Sequence, residues 1–203
     1  MGAWVEMLRG GQRVGARMRR TPWIVSLSLV LLSGVVVAQK DRSGPQVGEV
    51  LPKFTMRGVL DDEAGKSIDL VQDAAGRPLV LFFLHERTRP SVALARQVLS
   101  EAANHKAEGV EAGLVLLTAD VPMMEDWVKM VPQVLPRGVS IGISPDGPQG
   151  PAAYSLNPKV VATVIIAKDN RVVANFGLSQ PSLAEDGPKI EAAIGAVLEK
   201  AKP

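Results

Sequence analysis

Leu79-Val80-Leu81-Phe82-Phe83-Leu84-His85-Glu86-Arg87-Thr88-Arg89-Pro90-Ser91 is the stretch that decides the fold. Six apolar residues run without a polar break, which is the pattern of a strand buried on both faces, as at the centre of a parallel or mixed sheet. A short polar turn follows, and then a proline. Proline has no N–H to lose in the first helical turn, so it predicts a helix start there. A buried strand that feeds a tight turn and a helix N-terminus is a common seat of chemistry in α/β proteins, because the helix end favours anions. This turn carries no cysteine, and neither does the rest of the chain.

Working outward, 203 residues with 46% hydrophobic and 22% charged suit one globular domain plus an accessory segment. The net charge of +2 is unevenly placed. Arg9, Arg13, Arg17, Arg19 and Arg20 precede residue 39 against a single acid, Glu6, and the remainder has 18 basic and 20 acidic residues, a net of −2. No basic stripe with interleaved aromatics survives, which argues against nucleic acid as a partner. Zero cysteines exclude disulfides, thiol catalysis and thiolate metal sites.

Met18-Arg19-Arg20-Thr21-Pro22 leads into 16 apolar or small residues, Trp23 to Ala38, and the chain then turns polar. Basic flank, apolar core and small residues at Val36 and Ala38 match a secretory signal with cleavage after Ala38. The run is shorter than the roughly 20 residues of a spanning helix. The expected organisation is therefore a signal over 1–38, a linker over 39–46 and one domain over 47–203. The protein is expected to be exported, periplasmic or extracellular; the alternative is an uncleaved signal anchor that holds it to the inner membrane by residues 23–38.

Beyond that, Gly48 to Met56 reads as a short extended entry, Asp61-Asp62-Glu63 as a solvated acidic loop, and Ala64-Gly65-Lys66 as a turn into a strand over 67–70. After the 79–84 strand, Val92, Ala95, Leu99 and Ala102 recur at helical spacing over 90–108. Residues 112–117 form a second buried strand. Asp120 can cap a helix with Pro122 in its first turn, and Met123, Trp127, Met130 and Val131 share a face that is expected to be core. Pro132 ends that helix. Residues 139–144 are a third strand, Pro145-Asp146-Gly147-Pro148 is a turn, and residues 160–167 and 171–176 flank Lys168-Asp169-Asn170 as a hairpin. Gly187-Pro188 is expected to open a last helix carrying Ile190, Ala193, Ile194, Val197 and Leu198.

In order, the signposts are Gly48-x-x-Leu51-Pro52-x-Phe54, Gly65-Lys66-x-Ile68-x-Leu70, Gly76-Arg77-Pro78 before the first core strand, Pro145-Asp146-Gly147 with Ala153-Tyr154-Ser155-Leu156, and Val164-Ile165-Ile166-x-x-Asp169-Asn170-x-Val172-Val173. Together they resemble the thioredoxin-like superfamily: redoxins and peroxiredoxin (AhpC/TSA) relatives, and exported thioredoxins that help mature cytochromes. The resemblance implies an α/β three-layer sandwich, a central mixed sheet with helices on both faces. It also implies a Cys-x-x-Cys or one peroxidatic cysteine between the first core strand and its helix. Here that window holds Thr88-Arg89-Pro90-Ser91, with hydroxyls in place of both sulfurs. A hydroxyl is a poorer nucleophile than a thiolate and cannot cycle through a disulfide. The family's cis-proline position falls on Val161, in Val160-Val161-Ala162-Thr163, where a trans bond is expected because a cis bond before a non-proline costs roughly 2.5–4 kcal/mol.

The site expected from the resemblance is thus a former redox site, Thr88, Arg89, Pro90 and Ser91 with Val160 and Val161, that serves as a binding surface for an envelope protein or peptide, with no catalytic residue, metal or cofactor. The alternative is an enzyme. It would be a redoxin-type antioxidant that uses a partner's thiols, or a hydroxyl chemistry at Thr88 to Ser91 with His85 as base. Arg87 and Arg89 near the helix start could hold an anion, or be plain solvated charges.

Overall fold

The computed structural model describes residues 41–199. The signal expected over 1–38, with its cleavage point after Ala38, lies outside them. Among the described residues no helix is long and apolar enough to cross a membrane.

Seven strands form one mixed sheet: β1 (Met56–Gly58), β2 (Ser67–Ile68), β3 (Leu79–Leu84), β4 (Glu111–Leu116), β5 (Ser140–Ile143), β6 (Ala162–Lys168) and β7 (Arg171–Leu178). Their spatial order is β2-β1-β5-β4-β3-β6-β7. The helices are α1 (Leu70–Ala74), α2 (Arg89–Asn104), α3 (Val121–Met130) and α4 (Leu183–Glu199). β4 lies parallel to β3 and to β5, and the chain returns between them through α2 and α3. β6 runs antiparallel to β3 on its other side, with Leu84 opposite Ala162.

The all-apolar β3 is the hub. Each of its side chains is at most 2% exposed, and they alternate between two cores. Val80, Phe82 and Leu84 face α2, α3 and α4, together with Leu94, Val98, Leu99, Val128, Ile190 and Ile194. Leu79, Leu81 and Phe83 face the other layer, with Leu51, Phe54, Leu70, Tyr154 and Ile165. A strand in contact with water on either face would alternate apolar with polar residues; this one does not, because both faces are covered. In the second core the Phe54, Phe83 and Tyr154 rings lie 5.1–5.7 Å apart, and the Tyr154 hydroxyl donates to the Pro52 carbonyl at 2.9 Å. Burial, followed by the charge of Asp69, raises the Tyr154 pKa and keeps that donor protonated.

The β6–β7 hairpin forms as expected, with Asp169 and Asn170 both in the left-handed region (φ 52° and 56°) that a two-residue turn requires. Other expectations need correction. The segment read as a strand over 67–70 is only the two-residue β2, after which Asp69 caps α1 by accepting from the Gln72 N–H. The last helix starts at Leu183 rather than at Gly187-Pro188, and Pro188 sits inside it. Ser182 holds that earlier start: its Oγ accepts from the Glu185 N–H, and its own N–H donates to Asp186.

The described part of the expected linker, residues 41–46, is a docked strap. Ser43 is 1% exposed, and the Asn175 amide donates to the carbonyls of Ser43 and Pro45 at 2.7 Å each. Further on, Gly48 and Glu49 exchange backbone hydrogen bonds with Val172. The strap lies so close to β7 that a Cβ at Gly177 would overlap the Asp41 carbonyl oxygen.

The face of α3 is also reversed. Met124 and Val128 point into the core. Met123 and Met130 are 48% and 68% exposed, and Trp127 and Val131 are half-buried beside them. Of the stripe expected in the core, Met123 and Met130 are therefore surface, while Trp127 packs against the core with one part and keeps the rest exposed.

Candidate functional site

The turn after β3 lies at the end of the sheet where β3, β6 and the start of α2 meet. What it builds there is a helix cap. Thr88 is the N-cap of α2, with Arg89, Pro90 and Ser91 as the first three helical residues. Thr88 Oγ1 accepts from the Ser91 N–H at 3.2 Å, and Ser91 Oγ accepts from the Thr88 N–H at 3.0 Å. This is a reciprocal capping box, which satisfies two donors that a helix start otherwise leaves open. Ser91 Oγ also lies 2.7 Å from the Glu86 carbonyl, to which its proton is donated, and 2.9 Å from Thr88 Oγ1. Ser91 is fully buried. Its hydroxyl is committed on both its donor and acceptor sides.

His85 faces away from these hydroxyls. Its Nε2 lies 3.1 Å from Thr163 Oγ1, which is 2.6 Å from Ser43 Oγ, and Ser43 Oγ accepts from the Asn157 N–H. This chain of polar groups ties the strap, β6 and the turn together in a buried setting. Burial lowers the His85 pKa from 6.5 to about 4, so the ring is neutral near pH 7. A general base needs the proton of its nucleophile within reach; the hydrogen-bonded partner of His85 is Thr163, and that of Ser91 is the backbone. His105, the other histidine, lies at the far end of α2 between Glu101 and Glu108. Among the described residues no cluster of three or more His, Asp or Glu side chains could hold a metal ion.

The backbone at Val161 is hydrogen-bonded within the chain as well. The Val161 carbonyl accepts from the N–H groups of His85 and Glu86, at 3.0 and 3.1 Å, and the Val161 N–H donates to Leu178. Val160 is 1% exposed. The peptide bonds of the described residues are all trans, the one before Val161 included. Of the six positions taken from the sequence, Ser91 and Val160 are therefore buried and offer no surface, while Thr88, Arg89, Pro90 and Val161 keep some exposure.

Accessible space begins beside the turn, along the outer face of α2. A groove of about 740 Å³ runs from Arg87 and Thr88 past Val92 and Arg96, with Trp127 and Val131 on one side and Leu183 on the other. The Arg87 guanidinium lies over the Trp127 ring, 5.1 Å from its centroid, and also approaches the Met123 sulfur at 3.8 Å. This wall was not legible as a site because the same residues read as core.

No family model and no curated protein sequence matches the chain. Solved structures do match in fold. A candidate thiol:disulfide interchange protein DsbE from Chlorobium tepidum superimposes with a TM-score of 0.60 at 20% identity, over 76% of this chain and 99% of that one. The pneumococcal exposed lipoprotein thioredoxin Etrx1 from Streptococcus pneumoniae gives 0.53 at 17% identity, over 73% and 99%. A secreted Mycobacterium tuberculosis disulfide oxidoreductase homologous to E. coli DsbE gives 0.51 at 16%, over 70% and 95%. The chain thus has the thioredoxin-like fold, and it has it without a single cysteine.

Proposed function

We propose that this is an exported, non-catalytic thioredoxin-fold module that binds a protein or peptide beside the position where its structural neighbours' fold places redox chemistry. The observation that carries the reading is the capping box. Thr88 and Ser91 stand in the expected Cys-x-x-Cys window, and their hydroxyls are spent on the helix start and the Glu86 carbonyl. Thiol–disulfide exchange needs a thiolate, and a hydroxyl nucleophile needs an aligned base; the residues present supply neither. What remains open is the amphipathic groove that begins at the same turn. Large exposed apolar side chains rimmed by charge are typical of interaction surfaces.

The test is turnover by the purified chain. Insulin-disulfide reduction and peroxide consumption are expected to proceed at the blank rate, with or without dithiothreitol as electron source. A rate above the blank that is lost in the Ser91→Ala variant overturns the reading in favour of an enzyme.

A further inference from the structure

We infer that the groove on the outer face of α2 receives an acidic amphipathic helix. The inference rests on the binding-module reading and names the class of partner.

The floor offers no strand edge with which an extended peptide could pair. The floor is α2 itself, whose backbone groups are already bonded within the helix, so a strand laid in the groove would find no ladder partners for its own N–H and C=O groups. A helix satisfies its backbone internally and needs only side-chain contacts. The floor runs from Arg89 to Asn104, about 22 Å at 1.5 Å per residue, enough for four turns of a partner. Ala93 and Ser100 keep it low, and Trp127, Val131 and Leu183 give it apolar walls.

Charge selects the partner's sign. Arg87, Arg89 and Arg96 are exposed, and none has an ion pair among the described residues. The two carboxylates of the groove, Glu101 beside His105 and Glu191 accepting from the Gln97 amide, lie farther along it or on the opposite wall, so the positive charge is concentrated at the Arg87 end. Arg89 and Arg96 are seven residues apart, so they share a face of α2 about 10 Å apart. Two carboxylates at i and i+7 on a partner helix match that separation, with apolar residues at i+3 and i+4 directed at Val92 and Trp127. The polarity of the groove also sets direction: the most acidic end of the partner lies at the Arg87–Arg89 turn. A recessed groove between helices is poorly suited to a flat membrane surface, which makes the helix the favoured occupant over lipid.

Trp127 reports on the site directly. In the full chain carrying Trp4→Phe and Trp23→Phe it is the only indole. The probe is a helical peptide of about 15 residues with Glu at i and i+7 and Leu at i+3 and i+4, set against its counterpart with Lys in place of Glu. The expected result is a saturable shift of Trp127 emission with the Glu peptide only. Arg89→Glu combined with Arg96→Glu, both on the surface, weakens that response at least tenfold with the far-ultraviolet circular dichroism unchanged. The inference is overturned by equal responses to the two peptides, by no saturable response to the Glu peptide, by a response untouched in the double variant, or by a response to phosphatidylglycerol vesicles in place of peptide. If the peptides fail while a photo-crosslinker at Ala93 still captures a partner in the native envelope, the acidic-helix claim falls and the binding-module reading stands.

Discussion

Replacing Ser91 by alanine separates a structural hydroxyl from a reactive one. The substitution removes one of two acceptors of the Thr88 N–H, which also donates to the Glu86 carbonyl at 3.1 Å, and one of two donors to that carbonyl, in a side chain that is 0% exposed. Loss of a capping interaction costs about 0.5–2 kcal/mol, and because the Thr88 N–H and the Glu86 carbonyl keep each other as partners, neither is left unsatisfied. The expected loss is therefore about 1–2 kcal/mol. Thr88→Ala removes the acceptor of the Ser91 N–H and is expected to cost about 1 kcal/mol. The two residues share hydrogen bonds, so the double variant is expected to lose less than the sum of the single ones, by about 1 kcal/mol. Urea unfolding of the four proteins at pH 7 measures this cycle, and equal m-values ensure that stability alone has changed. A Ser91→Ala loss below about 0.5 kcal/mol, or strict additivity of the pair, would refute the capping-box account of this turn.

Other outcomes follow from the same geometry. The His85 pKa is depressed to about 4 in the folded chain and ordinary, near 6.5, in the unfolded one. Between those values the unfolded chain takes up the proton first, so stability falls as pH drops from about 6.5 to 4; the His85→Gln variant is expected to show a flatter profile in that window. His105 works in the opposite sense: hydrogen bonds and charge from Glu108 and Glu101 raise its pKa, so its contribution is present at low pH and fades as pH rises through that raised value. Gly177→Ala is expected to lift the strap off β7, because the new methyl meets the Asp41 carbonyl oxygen; faster tryptic cleavage at Arg42 reads this out. Tyr154→Phe deletes the bond to Pro52 and is expected to cost about 1 kcal/mol in urea unfolding. Thr88→Cys with Ser91→Cys brings two sulfurs to positions whose oxygens now lie 2.9 Å apart, and mild oxidation is expected to leave no free thiol on titration.

Much of this was legible in the sequence because the central strands are buried on both faces. Continuous apolar runs such as 79–84 can satisfy only one environment, so the sheet and its helices follow from them. The features that were not legible share a different physics. In α3, Val121, Met124 and Val128 recur at helical spacing, and so do Met123, Trp127 and Met130; periodicity finds two apolar stripes and cannot say which one the sheet covers. Residues 41–46 are polar and carry Gly and Pro, and only their partners Thr163, Asn157 and Asn175, more than 110 positions away, turn Ser43 into a buried anchor. α1 is five residues long, too short for any period to show. Pro188 marks a first turn by preference, yet the Ser182 cap starts α4 earlier and outweighs it. At the turn itself the Thr and Ser were legible only as the residues that the resemblance aligns with a redox window. Their role as a reciprocal cap was not, because the usual signature has Glu or Gln at the third helical position and this chain has serine.

The groove at the capped turn is proposed as the place where this protein meets a partner. A photo-crosslinking residue placed at Ala93, on the exposed floor of the groove, compared with one at Val173 on the exposed side of β7, tests this in cells that make the protein. The account predicts a discrete protein adduct from position 93 that is absent from position 173. Adducts of equal yield at both positions, or at neither, would contradict it.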